Sequence, residues 1–304
     1  MKQKLHKDLR SLLDFYQKQR QNLPEAYGHA TGVIDKPSFF TMKDFQDYLN
    51  NPLLLPEWIH VKKDGMRVEL EKSGCYKLVQ NRKLLFMDKE VLNNAIDGGA
   101  AVVLEGIDIL NQDVNTFVSK LDESLPCVLC NSVVFFSQHG NEAYEGHCDI
   151  DDVLVVQLSG KKIWHLFKPQ QRRYTGVENQ SEHQLGPVEH EITLRPGDAL
   201  YLRAGVPHRC TTSTPASLHM SIDLCDSTPT TSDITREATN LYRQASELPY
   251  EPAGSVVDRY VSILKSDDFQ SSLVEATQLK RDQISKFRQG IGRTSVVKSL
   301  NKYI

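Results

Sequence analysis

The spacing of apolar positions along this 304-residue chain changes several times, and each change marks a boundary. Leu5, Leu9, Leu12, Leu13 and Tyr16 recur every three or four residues with lysines and arginines between them, so residues 1–22 read as an amphipathic helix. Pro24 and Gly28 punctuate it. A short helix over 42–49 follows, with Thr41 placed as its N-cap. From Trp58 to Phe86 the pattern shortens to alternating runs at 58–62, 67–71, 76–79 and 84–86, which read as strands. Next come a helix over 88–96 ended by Gly98-Gly99, an apolar strand over 100–104, a helix over 113–125 and a strand over 128–136.

The middle of the chain is the most strongly β-patterned. Val153-Leu154-Val155-Val156-Gln157-Leu158 and Ile163-Trp164-His165-Leu166-Phe167 are joined by the turn Ser159-Gly160-Lys161. Residues 168–190 are polar and broken, as expected of a long excursion between strands. Leu200-Tyr201-Leu202 follows Pro196-Gly197-Asp198, and the turn Gly205-Val206-Pro207 should set His208 on a strand neighbouring 200–202. Short strands with turn signals between them indicate a mainly β barrel or double-sheet jelly roll. After Asp226 the composition shifts through Ser227–Ser232 to helices over 233–247, 255–265 and 269–289, the last ended by Gly290 and Gly292. The chain divides on this reading into a helical segment (1–36), a β-rich domain (37–226) and a helical segment (227–304), without internal repeats.

Candidate chemistry centres on Gly146-His147-Cys148-Asp149. Residues two apart on an extended strand project from the same face, so His147 and Asp149 can reach one ion while Cys148 points away. His208 is the third candidate. Two imidazoles and a carboxylate without thiolate form the facial set of non-haem Fe(II) oxygenases, with positions left open for substrate and dioxygen. An H-x-D pair alone is a weak signal; its surroundings strengthen it.

H-x-D, then Gln157-Leu158-x-Gly160-x-Lys162-x-Trp164, then Leu194-x-Pro196-Gly197-Asp198-x-Leu200-Tyr201-Leu202 and Val206-Pro207-His208, resembles the JmjC cupins, and among them the ribosomal-protein hydroxylases. The resemblance covers roughly residues 37–225. It implies a double-stranded β-helix (jelly-roll) core with flanking helices, and an enzyme using Fe(II), 2-oxoglutarate and dioxygen to hydroxylate a protein or peptide side chain. It also implies a basic residue fifteen positions after the first ligand histidine to hold the distal carboxylate of 2-oxoglutarate; Lys162 stands there. In a flat hairpin Lys162 would lie roughly 20 Å from Asp149, so barrel curvature must bring it close. The plain alternative is a solvated lysine past a turn. Asn131 matches a family asparagine that contacts the cosubstrate. Ser217, His219, Ser221 and Asp223 alternate along one strand, and His219 and Ser221 would line the pocket; a satisfied core histidine is the other reading of His219. Tyr144 and Trp164 fit core or rim packing, and His165, His183 and His190 surface or loop roles.

Two other functions stay open at this point. One is a cupin that binds metal or a small ligand, or works on it without 2-oxoglutarate. The other is a JmjC oxygenase that acts on RNA or demethylates. In the ribosomal branch the core is followed by a helical dimerisation module and a winged helix; the residues after Asp226 have room for the first, which implies a homodimer with the winged helix reduced or missing.

Composition adds limits. The net charge of −3 argues against wholesale nucleic-acid binding. From residue 270 onward, however, seven basic residues (Lys280, Arg281, Lys286, Arg288, Arg293, Lys298, Lys302) face only Glu275 and Asp282, an RNA- or ribosome-facing surface or simply a solvated helix face. Six scattered cysteines are too sparse for a disulfide framework, and Cys127-x-x-Cys130 has no second pair to complete a zinc site. No apolar run approaches the ~20 residues of a membrane helix, and the basic N-terminus lacks an apolar signal core, so a cytoplasmic protein without membrane contact is expected.

Overall fold

The computed structural model describes residues 2–21, 27–52, 54–63, 66–70, 76–80, 82–125, 128–138, 140, 146–168, 178–179, 185–226, 231–245 and 253–288. The chain forms two compact units, Met1–Cys225 and Asp226–Ile304. In order, the first contains α1 (Lys2–Gln21), β1 (Tyr27–Ala30), α2 (Met42–Asn50), β2 (Ile59–Lys63), β3 (Met66–Arg67), β4 (Tyr76–Val79), β5 (Arg82–Leu85), α3 (Lys89–Asp97), β6 (Ala101–Leu104), α4 (Ile107–Leu110) and α5 (Gln112–Ser124). It continues with β7 (Val128–Gln138), β8 (His147–Cys148), β9 (Asp152–Ser159), β10 (Lys162–Phe167), β11 (Glu178–Asn179), β12 (Val188–Leu194), β13 (Ala199–Leu202), β14 (His208–Thr212) and β15 (Ala216–Asp226). The second unit consists of α6 (Thr231–Ala245), α7 (Ala253–Leu264) and α8 (Asp267–Arg288).

Two sheets build the jelly roll. One has eight strands in the order β1-β13-β9-β15-β7-β6-β2-β3, the other five in the order β11-β8-β14-β10-β12, and a small hairpin pairs β4 with β5. The uninterrupted apolar run of β9 is explained by burial on both faces. Val153 and Val155 pack with Trp164, Leu166, Ile192 and Leu194 of the five-stranded sheet. Leu154 and Val156 turn the other way, into a core shared with Leu9, Leu12, Phe15 and Tyr16 of α1 and Phe117 and Leu121 of α5. Residues 1–36 therefore share the core of the first unit rather than standing apart from it. Local chemistry sets the helix starts: Thr41 and Asp44 form a reciprocal capping box on α2, Asp88 caps α3, and Asn111 caps α5.

Several expectations are corrected. The run at 153–167 is not a hairpin: β9 lies in the eight-stranded sheet and β10 in the five-stranded one. The turn between them carries the chain across the sandwich through Gly160, whose φ of +68° and whose position, where a Cβ would sit 2.0 Å from the Ala216 carbonyl oxygen, admit only glycine. Likewise β14 is not a neighbour of β13 but belongs to the opposite sheet. Strand β1, where Pro24 and Gly28 had suggested only punctuation, pairs antiparallel with β13. The polar stretch 168–190 contributes Glu178–Asn179 to pairing with β8 and, from Val188, the start of β12. The strand expected over 67–71 is limited to Met66–Arg67. The Pro-Gly-Asp turn before β13 is tied down by Asp198, whose carboxylate accepts the Gly32 N–H (2.9 Å) and the Arg195 N–H (2.8 Å). Gly290 and Gly292, expected to end the last helix, lie outside the described residues. Among the described residues no helix is long and apolar enough to cross a membrane.

Candidate metal and cosubstrate site

The site is assembled by the five-stranded sheet. On adjacent antiparallel strands, His147 of β8 stands directly opposite His208 of β14, and their ring centroids are 4.4 Å apart. Asp149 follows β8 immediately. Its carboxylate lies 3.6 Å from His147 Nε2 and 3.7 Å from His208 Nε2, and one donor atom from each residue falls within 4.8 Å of the others. The turn that delivers His208 is fastened to the Asp149 segment: Gly205 N–H donates to the Asp149 carbonyl (2.8 Å) and Ala204 N–H to the Asp152 carboxylate (2.9 Å).

The protonation states suit a cation. His208 Nδ1 lies 3.0 Å from the Val206 carbonyl, a contact that needs the proton on Nδ1 and leaves the Nε2 lone pair facing Asp149. Burial pushes the His208 pKa down to about 4, so the ring is neutral near pH 7. Burial raises the Asp149 carboxyl, with His147 acting in the opposite sense and Asp151 adding to the rise. A partly buried carboxylate beside the neutral His208 ring favours a positive charge near it, and a divalent ion would meet that need with N, N and O donors. Cys148 is fully buried and takes no part, and Cys210 lines the cavity but is not in the ligand cluster.

A cavity of ≈ 180 Å³ opens from the triad, with Lys162, Trp164, His219 and Ser221 in its walls. Lys162 reaches it by sheet register rather than by curvature of a hairpin. It pairs with Thr212 at the far end of β14, four residues beyond His208, while Leu166 pairs with His208 itself. Its side chain is 2 % exposed, and Nζ donates to Ser137 Oγ (2.5 Å) and Thr212 Oγ1 (3.0 Å). His219 stacks on Phe135 (centroids 4.8 Å, 6°) and meets Trp164 edge-on (5.6 Å). Burial, then the charges of Lys162 and His208, keep its pKa well below the usual range, so it too is neutral. Among the described residues, His219 Nδ1 and Trp164 Nε1 are buried without a hydrogen-bond partner. An indole N–H on a cavity that also holds a buried ammonium suits an anionic oxygen.

Of the expected residues, the structure brings together His147, Asp149, His208, Lys162, His219 and Ser221. Asn131 does not line this cavity; it is exposed on β7, donating from Nδ2 to Cys225 Sγ at 3.3 Å. His165 lies 3.3 Å from Glu191, and His190 packs against Tyr27. Tyr144, His183 and Cys127 lie outside the described residues. Sequence reasoning missed Ser137 and Thr212, the hydroxyls around Lys162, and Glu105 and Phe135 in the walls. Thr212 carried a usable signal, since it is four residues along the same strand from His208 and so on the same face. Asp223 also lines the cavity, its carboxyl pushed up to about 7 by burial first and then by Asp149, Asp151, Glu105 and Asp108.

A facial two-histidine, one-carboxylate cluster lies inside a double-stranded β-helix, and the JmjC domain model matches residues 109–232. Curated proteins named ribosomal oxygenases are among those the chain resembles. Ribosomal oxygenase 2 of Mus musculus is 33% identical over 112 residues, covering 36% of this chain and 24% of that protein. The bifunctional lysine-specific demethylase and histidyl-hydroxylase NO66 of Dictyostelium discoideum is 29% identical over 228 residues, covering 65% of this chain and 43% of that one. The chain thus matches less than half the length of these curated relatives. The fold matches that of E. coli ycfD at a TM-score of 0.56 and 12% identity, over 85% of this chain and 70% of that one. A structure of that ribosomal oxygenase in complex with cobalt and 2-oxoglutarate matches at 0.53, also with 12% identity, over 84% and 68%.

Proposed function

We propose that this chain is an Fe(II)- and 2-oxoglutarate-dependent dioxygenase that hydroxylates a C–H bond on a protein side chain, with ribosomal proteins the leading substrate class. The observation that carries the reading is a single cavity holding the His147, Asp149 and His208 donors together with the buried ammonium of Lys162. His147, Asp149 and His208 would hold the iron. Lys162, oriented by Ser137 and Thr212, would receive the distal carboxylate of 2-oxoglutarate, with His219 and Ser221 in the wall beside it and Asn131 at the outer end of β7. When bound, iron, dioxygen and 2-oxoglutarate supply an oxidant, releasing succinate and carbon dioxide and placing one oxygen atom on the substrate. The chain's own part is to orient the cosubstrate, keep His208 and His219 neutral and exclude water. The names of the relatives, ribosomal oxygenases among them, support the substrate class.

The test is succinate formation from 2-oxoglutarate by the purified protein with Fe(II) and ascorbate, with and without ribosomal proteins. Turnover that needs iron and is lost in His147→Ala and Asp149→Ala is expected. No turnover together with no 2-oxoglutarate binding would leave a metal-binding cupin of different chemistry.

We propose further that residues 37–226 are the catalytic portion and that residues 227–304 form a homodimer. Val257 and Val261 of α7 and Val274 and Leu279 of α8 leave apolar side chains exposed in the second unit. A monomer by light scattering at micromolar concentration would refute the dimer. The basic positions Lys280, Arg281, Lys286 and Arg288 support RNA contact along α8; Arg293, Lys298 and Lys302 lie beyond the described residues. Salt-independent or absent RNA binding would refute that contact. The cytoplasm is the compartment in which we place the protein, testable by fractionation.

A further inference from the structure

On the helix side of the eight-stranded sheet, away from the metal cavity, a separate cavity of ≈ 470 Å³ lies between α1, residues 38–39 and α5. Its walls include Leu5, Ser38, Phe39 and Thr116, and its floor carries Asp8. Asp8 interrupts the apolar stripe of α1, between Leu5 and Leu12, at a place where a leucine would continue the core. It is 3 % exposed and makes no hydrogen bond to a described residue.

Of the neighbouring cations Lys120 lines the cavity itself, beside His6, and none is hydrogen-bonded or ion-paired to Asp8 among the described residues. Lys4 Nζ donates to the Lys36 carbonyl (2.5 Å), Lys120 Nζ lies 2.8 Å from His6 Nε2, and Lys7 is exposed to solvent on the helix next to Asp8. Burial is the main reason why this carboxyl's pKa is raised, with Asp35 adding to the rise and Lys4 and Lys7 opposing it. A carboxylate with no hydrogen-bond partner among the described residues, set in the wall of an open space, is placed to meet a positive group that enters it.

We propose that this cavity binds an organic ammonium or guanidinium group on an alkyl stem, with Asp8 as its counter-ion. The stem would lie against Leu5 and Phe39, whose ring is held in place by stacking on Phe117 (4.8 Å, 7°), and a cation passing this aromatic face gains further attraction. The Ser38 and Thr116 hydroxyls supply acceptor oxygens for the remaining N–H groups. A metal ion fits poorly: it asks for several converging oxygen ligands, and among the described residues three such groups converge only at His147, Asp149 and His208. The shared chemistry can come from a free amine or from a lysine or arginine side chain of another polypeptide.

The experiment is titration of the full chain with n-butylammonium and n-butylguanidinium at pH 7, followed by NMR and calorimetry, with n-butanol as the neutral control. Saturable binding of both cations, at least tenfold weaker for n-butanol and for Asp8→Asn, is expected. Thr116→Phe, which fills the cavity and leaves Asp8 in place, should weaken binding similarly and covers the case in which Asp8→Asn fails to fold. A parallel titration with acetyl-Ala-Lys-Ala-amide separates the sources: tighter binding than butylammonium points to a polypeptide, weaker binding to a free amine. Equal binding of cation and alcohol, no binding of either, or unchanged cation binding in the variants would overturn the proposal. Succinate formation should be unchanged in Asp8→Asn.

Discussion

His147 and His208 face each other in register across adjacent antiparallel strands, so that two imidazoles from positions sixty-one residues apart meet with centroids 4.4 Å apart. Strand pairing, rather than loop packing, therefore fixes the angle between two candidate metal donors, and Asp149 completes the candidate face. Loss of an outer-shell partner alone typically lowers metal affinity ~10–100-fold, so removal of a donor should exceed that. Equilibrium dialysis with Co(II) should accordingly show a loss of more than about 100-fold for His208→Ala and for His147→Ala. Wild-type affinity in either variant would remove that residue from the ligand set.

Lys162→Met separates the cosubstrate role from a structural one. Methionine keeps the stem but deletes the ammonium, and the two hydroxyls left behind already lie 2.7 Å apart and can satisfy each other. Replacing a buried charge with an apolar group of similar volume is often neutral or stabilising. The melting temperature should therefore hold or rise, and Co(II) affinity should stay within about threefold. The affinity for 2-oxoglutarate should fall by at least about 100-fold, the ~3–5 kcal/mol scale of an unpaired buried charge. Unchanged 2-oxoglutarate affinity would assign Lys162 to the core.

Stability of the metal-free protein should carry the signature of Asp223. Its carboxyl titrates at about 7 in the fold, against an ordinary value of 3.8. Between those values the folded chain holds a proton that the unfolded chain has released. Stability is thus fully present below about pH 4 and declines as pH rises toward and through about 7. The loss should be on the order of 1–3 kcal/mol, reduced because Asp223 is not wholly withdrawn from water. Asp223→Asn should flatten this part of the urea-unfolding profile and raise stability at pH 8. A variant whose profile overlays wild type would show that Asp223 is not the group responsible.

These outcomes rest on residues that differ in how readily the sequence reveals them. His147 and Asp149 were legible because a two-residue spacing on a strand needs no tertiary information. The jelly roll was legible because β9 and β10 are short, apolar and separated by a glycine turn. What the pattern did not carry was the partner of each strand. Gly160 passes the chain between sheets, a fact visible only in its φ and in the nearness of the Ala216 carbonyl. Strand β1 owes its conformation to pairing with β13, more than 160 residues away. Strand β12 is exposed through most of its first half, so its polar residues look like loop. Ser137 and Thr212 look like any strand hydroxyls until the register of β10 places Lys162 opposite Thr212. Asn131 was selected by resemblance, and its place on β7 puts it outside the cavity walls.

The last prediction concerns Asp152, which lines neither cavity yet ties together the segments that carry the candidate ligands Asp149 and His208. Its carboxylate accepts the Tyr201 hydroxyl (2.6 Å), the Ala204 N–H (2.9 Å) and a longer contact from Arg20 of α1 (3.3 Å). Burial and the bond to Asp152 hold the Tyr201 phenol above its ordinary pKa, so it remains a donor throughout the working range. Ala204 and Gly205 begin the turn that leads to His208, and Gly205 is bonded in the same way to Asp149. Without the carboxylate, the phenol and the Ala204 N–H each lose a charged acceptor, worth ~1.5–3 kcal/mol per bond. Asp152→Ala should cost about 2–4 kcal/mol in urea unfolding, discounted because the side chain is 20% exposed. It should also weaken Co(II) binding about tenfold, since a shifted turn moves His208 out of register with His147. Asp152→Asn, which keeps an acceptor oxygen, should recover most of the metal affinity while losing the attraction to Arg20. If Asp152→Ala destabilises the fold but binds Co(II) like wild type, then the strand register alone positions His208.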